Sequence, residues 1–530
     1  MKQKTISQLQ TFLYEGQSSK LILFLLLILT NFIVRIPSIP HEKGYDSFFI
    51  HSVANSVTNF GIAKWWINWM SVFGLYPYSY ASAVPFSLSG LSQLTGISME
   101  YTILIFCIML GFFSIFSAYM LATIFFDKFI YRFIFSVVFS LSASTVELTT
   151  WNITTRAQFL VFLPLFLYML FKAIYGSKKH LFSYLVVALF LLATHHYVYL
   201  ALFYSAIVIF TYAIFWLISL KPIFTEKARN INFYYFMVFV SCIIIMFLFG
   251  SKIGFITAGS RYQWIIDIVL ISIRNAGFIF PIFIGAFIYL IFKKNKDINE
   301  WFLLISFIPT FFLSFNQTYG YIVTYLFITI IGTFGFSNII KIYPTNKKYI
   351  RQFLILVLIL NVAFSSFFTH YKTGIVGGYY DWYMGEETYV TGNWIQEYIS
   401  PDEYAIGNGF ETTRLFASYG GLPAMYSDDV NNYINGFLVP NESNYRKNSV
   451  TSTDFYFDNP YVLKSGTTSS GLLNWMLQFP ITNKNAITFV EGLNVSYFFD
   501  DNYRSEPLFQ SLPANKPLIY DSGRLSIFVY

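Results

Sequence analysis

Between positions 181 and 220 the chain runs for 40 residues without an Asp, Glu, Lys or Arg. An α-helix crosses the bilayer core in about 20 residues, and inside lipid each backbone amide must find its partner within the element. A charge-free stretch twice that length therefore crosses, turns and crosses back, and the turn falls at His195-His196-Tyr197, where polarity returns. Composition agrees: 12% of the chain is charged and 55% hydrophobic, against about 25% charged residues in an ordinary globular domain. The chain reads as a polytopic α-helical membrane protein.

Nine further apolar stretches have the character of spans, at 21–36, 101–126, 129–147, 157–175, 231–250, 278–292, 301–316, 319–340 and 352–369, with the 181–196 and 197–220 pair completing a set of eleven transmembrane helices. The first is preceded by Lys2, Lys4 and Lys20 as a signal peptide would be, but no small-residue cleavage site follows, and it is read as a retained helix. With the amino terminus cytoplasmic, eighteen Lys and Arg fall on inner segments and seven on outer ones, the asymmetry that orients membrane proteins. The net charge of +7 thus belongs to topology, and no nucleic-acid partner is implied. Both cysteines, Cys107 and Cys242, lie in apolar spans and imply no disulfide framework.

An odd number of crossings places the tail outside. Composition changes there to Asn, Asp, Gly, Ser and Thr, with a helical segment at 388–399, a strand at 404–407, and strand-like runs at 486–500 and 517–530 joined through Asp521-Ser522-Gly523. The division expected is a membrane module over 1–369, with a large first outer loop at 38–100, and a small extracytoplasmic α/β domain over 370–530. Sequons at Asn152, Asn316, Asn441 and Asn494 all fall on the expected exterior.

Phosphate-binding glycine loops, dinucleotide fingerprints and metal-binding Cys or His-Glu patterns are missing from the sequence. Chemistry is therefore sought at the outer edge. The first outer loop is too long for a plain connection and too aromatic for disorder. Its segment Gly44-Tyr45-Asp46-Ser47-Phe48-Phe49-Ile50-His51 opens a helix on which Asp46, His51, Asn55 and Asn59 form a polar stripe opposite Phe48, Phe49, Ile50, Val53 and Val57. Such a helix is expected to lie flat at the interface, polar face up, with Trp65, Trp66 and Trp69 as anchors. Asp46 then serves either as a helix cap or as a catalytic carboxylate. The second outer loop offers Glu147 and Arg156; the hairpin turn offers His195 and His196, an interfacial pair or a proton carrier; the loop 251–277 offers Lys252, Arg261 and Arg274. Several cations facing one acid suit an anionic lipid head group.

A membrane helix, a large outer loop with Gly44-Tyr45-Asp46 opening an interfacial helix, many spans and an outer carboxyl-terminal domain together resemble the GT-C superfamily of polyprenyl-phosphate-dependent glycosyltransferases, oligosaccharyltransferase catalytic subunits among them. The resemblance implies transfer of a sugar from a polyprenyl- or dolichol-phosphate-linked donor to a glycan, lipid or protein acceptor on the outer face. It implies Asp46 as the catalytic carboxylate, with His51, Glu147, Arg156, His195, His196 and Arg261 binding substrate, and Asp46 and Glu147 as ligands if Mg²⁺ or Mn²⁺ takes part. Tyr380-Asp381-Trp382 stands where the oligosaccharyltransferases carry Trp-Trp-Asp-Tyr-Gly and does not match it; the second outer loop holds Glu147 in place of an acidic pair. Those departures favour a single-sugar transferase. A lipid-linked glycan flippase and a non-catalytic surface scaffold are the readings from other classes.

Overall fold

The computed structural model describes residues 17–37, 39–61, 81–176, 178–219, 276–277, 279–294, 296–316, 320–342, 348–375, 384–400, 404–407, 424–425, 495–501 and 517–529. Its first helix is α1 (Gln17–Val34), and the next is α2 (Tyr45–Phe60). Next come α3 (Ala83–Thr95), α4 (Met99–Phe125), α5 (Phe129–Ser140), α6 (Ala143–Leu148), α7 (Thr155–Ile174), α8 (Lys178–Thr194) and α9 (Val198–Ser219). After residues 220–275 follow α10 (Ile279–Phe292), α11 (Ile298–Asn316), α12 (Gly320–Ile342) and α13 (Lys348–Ile375). Four helices, in α1, α4, α7 and α12, are long and apolar enough to cross a membrane, and six others are apolar over shorter runs. The protein is an integral membrane protein of packed helices. The expected span at 231–250, like the Trp65, Trp66 and Trp69 anchors and the loop 251–277 with Arg261, lies outside the described residues.

The hairpin expected within 181–220 forms: α8 ends at Thr194, and α9 starts at Val198 after the turn at His195. The single span expected at 129–147 does not. Helix α5 stops at Ser140, and Ser142 caps α6 by accepting a hydrogen bond from Thr145 N–H at 3.1 Å. At 12 residues α5 is about 18 Å long, short of the roughly 30 Å hydrocarbon core. The reason lies in Arg35. Its guanidinium is fully buried and takes the Ser140 carbonyl at 3.1 Å, an oxygen that an unbroken helix would have used for its own ladder.

Arg35 also donates to Thr149 Oγ1 at 2.8 Å and to the Asn31 carbonyl and Oδ1 at 3.2 and 2.7 Å. One buried cation thus joins the end of α1 to the α5/α6 break and to the residue after α6. Space for it comes from Gly111 on α4, where a Cβ would run into the Arg35 side chain.

Beyond the membrane helices, α14 (Glu386–Tyr398) begins two residues before the expected 388, and the strand β1 (Tyr404–Gly407) falls where it was read. With β2 (Ala424–Met425), β3 (Val495–Asp501), β4 (Leu518–Asp521) and β5 (Leu525–Val529) it makes a five-stranded sheet of order β2-β1-β3-β5-β4. Strands β2, β1 and β3 run parallel, while β5 is antiparallel to both β3 and β4. The β4–β5 turn is the expected Asp521-Ser522-Gly523: Gly523 takes φ 83°, and Asp521 Oδ1 accepts its N–H at 2.8 Å. Helix α14 seals one face of the sheet with Ile395 and Ile399 against Leu525 and Ile527, and Thr391 bonds the Tyr520 hydroxyl at 3.0 Å.

Adding a methyl at Gly111 forces the pinned Arg35 to move, and overpacking of this kind costs about 1–3 kcal/mol. Gly111→Ala is expected to lower the thermal unfolding midpoint in detergent, whereas Gly285→Ala on α10, where a Cβ meets nothing within 4 Å, leaves it unchanged or raised.

Candidate active site

Gly44 precedes the first turn of α2 with φ 94°, a conformation that favours glycine, and a Cβ there would strike the Asn152 side-chain oxygen. This tight approach brings the segments 42–47 and 151–156 side by side. Lys43 N–H bonds the Trp151 carbonyl at 3.1 Å, and Ser47 Oγ accepts Ile153 N–H at 3.2 Å while donating to Glu42 Oε2 at 3.1 Å. Trp151 holds φ 46°, a left-handed conformation that costs a bulky residue about 1–3 kcal/mol. Its buried indole is fixed by a bond from Nε1 to the Glu100 carbonyl at 3.2 Å.

The two segments carry the two charges that meet at the surface. Asp46 sits in the first turn of α2, where the helix dipole favours an anion. Thr154 caps α7 by accepting Ala157 N–H at 2.9 Å, which puts Arg156 in the first turn of that helix, where the dipole disfavours a cation. Arg156 and Asp46 form an ion pair that relieves the mismatch, their side chains 11% and 26% exposed. Both remain open enough to exchange each other for a ligand.

The other sequence candidates divide. His195 and His196 stack at 4.1 Å in the hairpin turn and lie within the electrostatic reach of Arg156. Burial and the neighbouring charges hold the His195 imidazole well below its usual range. His196, more exposed, is pulled down to about 4 by desolvation and Arg156. Both shifts disfavour the imidazolium. The Tyr197 amide donates to His195 Nδ1 at 3.0 Å, leaving Nε2 as its N–H donor. Glu147, half-buried at the end of α6, faces Lys43.

His51 belongs elsewhere. It is 2% exposed, and its Nδ1 bonds the fully buried Glu42 Oε1 at 2.6 Å. Of the polar stripe expected to face up, Asp46 stays partly exposed while His51 is inside the protein, because Glu42 follows it in and satisfies both His51 and Ser47. On its other side α2 packs Ile50, Val53, Ala54 and Val57 against α3 and α4, each full burial contributing about 1.5–3 kcal/mol for the larger side chains. Helix α2 is a wedged core helix and does not float at the interface. Asn152 is likewise buried, at 5% exposure, which takes that sequon out of reach of a modifying enzyme.

Sequence reasoning passed over His41, Glu42 and Lys43, which read as ordinary loop charges. Lys43 is 1% exposed, and its ammonium has no hydrogen-bond partner among the described residues. Desolvation lowers its pKa to about 8 against the pull of Glu147. Among the described residues no three His, Cys, Asp or Glu side chains converge as a ready metal site.

No protein-family model matches the sequence, and no curated protein matches it. Solved structures do. The oligosaccharyltransferase AglB of Archaeoglobus fulgidus, in complex with an inhibitory peptide and a dolichol-phosphate, aligns over 91% of this chain and 69% of its own at 13% identity, with a TM-score of 0.54. ArnT from Cupriavidus metallidurans bound to undecaprenyl phosphate aligns over 97% of this chain and 98% of its own at 11% identity, again with a TM-score of 0.54. At such identities the likeness is one of fold alone, to proteins of the kind that the first outer loop resembles.

Removing the Glu42 carboxylate leaves His51 and Ser47 buried without their partner, at about 1–3 kcal/mol for each polar group. Glu42→Ala is expected to lower the thermal unfolding midpoint well below that of Glu147→Ala, whose side chain is only half-buried.

Proposed function

We propose, from a GT-C fold whose first outer loop presents Asp46 to Arg156, that this protein transfers a sugar from a polyprenyl-phosphate-linked donor to an acceptor on the outer face of the membrane. The observation that carries the reading is the ion pair itself: a carboxylate and a guanidinium from segments 110 positions apart, held together by the 42–47 and 151–156 pairing yet partly open to solvent. A purely structural pair would gain from being closed.

In this reading the donor's phosphate competes with Asp46 for Arg156. Guanidinium binds phosphate in a forked, charge-assisted geometry, each such bond contributing about 1.5–3 kcal/mol. His195 and His196 add hydrogen bonds without adding charge, and Arg261 is assigned to the phosphate from its sequence position alone. Once phosphate takes Arg156, the released Asp46 carboxylate accepts the proton of the acceptor hydroxyl as that oxygen attacks the anomeric carbon. The glycosyl–phosphate bond breaks, and the lipid phosphate leaves as an anion on Arg156. Donor binding thus prepares the base.

Asp46 and Glu147 would supply two carboxylates to Mg²⁺ or Mn²⁺, ions that draw the rest of their shell from substrate phosphate and water. Such an ion would neutralise charge on the departing phosphate. The orientation that goes with this reading has the amino terminus cytoplasmic and the sheet-bearing tail on the outer side, where acceptors arrive.

Membranes carrying Asp46→Asn at matched expression are expected to lose about a hundredfold or more in transfer from a polyprenyl-phosphate sugar, the range for loss of a general base. Near-normal transfer by that variant would leave Asp46 as a helix-terminal charge and overturn the assignment. Arg156→Ala is expected to raise the donor concentration needed for half-maximal rate by tenfold or more while the acceptor requirement stays close to normal.

A further inference from the structure

His41 joins two carboxylates that belong to opposite ends of the chain. Its Nδ1 lies 2.9 Å from Glu100 Oε1 at the start of α4, and its Nε2 lies 3.0 Å from Glu386 Oε2 at the start of α14. The ring stacks on Tyr389 of α14 with centroids 4.0 Å apart. Beside it, Met384 N–H bonds the Glu42 carbonyl at 3.3 Å, and Met384 and Tyr389 pack on the buried ring of Phe48 in the first turn of α2. No feature of the proposed transfer uses this bridge.

We propose that His41 is a protonation-dependent latch that fastens α14, and with it the sheet-bearing tail, over the first turn of α2 beside Asp46. Ionised carboxylates only accept hydrogen bonds, whereas a neutral imidazole has a single N–H and must present a lone pair to its second neighbour. Both bridges therefore form together only on the imidazolium. Loss of one proton converts an attraction into a facing of lone pairs, and the Glu386 side, 70% exposed, is the one water can take over. Glu100, 5% exposed, stays in place, so the joint opens on the α14 side.

The groups facing His41 set the direction. Burial pulls its pKa down, but hydrogen bonds and charge from Glu100 and Glu386 outweigh that pull and the net shift is upward. Tyr389 stacks on the ring, Glu42 on the same segment is engaged with His51 and Ser47, and Lys43 is the neighbouring cation. A raised value means that the latch is complete below the ordinary histidine range of about 6.5 and is lost as pH rises through the folded-state value. Closed at mildly acidic pH and open in alkali, it regulates access to the surface around Asp46.

The test uses the full-length protein in nanodiscs, with both native cysteines replaced by alanine and spin labels at Asn59 on α2 and Gln396 on α14, two exposed positions outside the site. Electron–electron distance measurements are expected to give one narrow distribution at pH 5.5 and, at pH 9, a second and longer population of half the molecules or more. His41→Gln, whose amide does not titrate, is expected to show the same distribution at both pH values. Glu386→Gln, at an exposed position that leaves folding intact, is expected to move the wild-type midpoint to lower pH by half a unit or more. An unchanged wild-type distribution across this range overturns the latch, as does a His41→Gln protein that keeps the wild-type shift, or an unmoved midpoint in Glu386→Gln. Distances are read without substrate, so failure here is distinct from failure of the glycosyl-transfer reading.

Discussion

A guanidinium buried without a carboxylate partner among the described residues governs the architecture. Arg35 is fully shielded from solvent, and the bonds that hold it all end on neutral oxygens: Thr149 Oγ1, Asn31 Oδ1 and the carbonyls of Asn31 and Ser140. The desolvation of such a cation amounts to several kcal/mol, offset only when the remaining N–H groups are well satisfied. Satisfying them dictates that α5 break at Ser140, that α6 bring Thr149 back, and that Gly111 stay bare. Directly after α6 come the residues that pair with 42–47, so the placement of Arg156 against Asp46 follows from how Arg35 was buried.

Stability is given up in the same small region. Trp151 is held in a left-handed conformation, Lys43 keeps an ammonium in the interior without a hydrogen-bond partner among the described residues, and Arg156 stands at the unfavourable end of a helix dipole. Each is tolerated because the surroundings overdetermine it, through the indole bond to Glu100, the Lys43–Trp151 backbone bond and the Asp46 carboxylate. Concentration of strained and charged groups in one place marks a region selected for something other than folding.

Apolar spans were legible because lipid demands length and excludes charge, and both are visible residue by residue. The hairpin at His195 and the strand at Tyr404–Gly407 fell where they were read. The α5/α6 break was not legible, since Leu141-Ser142 holds neither Pro nor Gly and its cause lies on another helix, 105 positions away. Asp46 and Arg156 were each visible as edge charges, and only the fold could pair them. His41 and Glu42 stayed hidden because a charged loop residue looks solvated until its partners are known, and theirs lie as far as 345 positions along the chain. The run His41-Glu42-Lys43, three polar residues immediately before the glycine of the motif, was the available signal. Likewise His51 lies on a polar stripe whichever way the helix faces, and what decides its burial is Glu42.

The partners of the first outer loop also impose an order in time. Residues 41–47 leave the ribosome before what fixes them, and their partners arrive in instalments: Glu100 with α4, Trp151 and Ile153 ahead of α7, and Glu386 and Met384 only after α13. Until the last of these is synthesised, His41 lacks one of its two carboxylates and the first turn of α2 lacks its cover. The segment carrying Asp46 is thus made well before it is secured, and a chain truncated after α13 lacks the contacts of Glu386 and Met384. Quality control that samples exposed first-loop sequence would distinguish finished molecules from unfinished ones at this single joint.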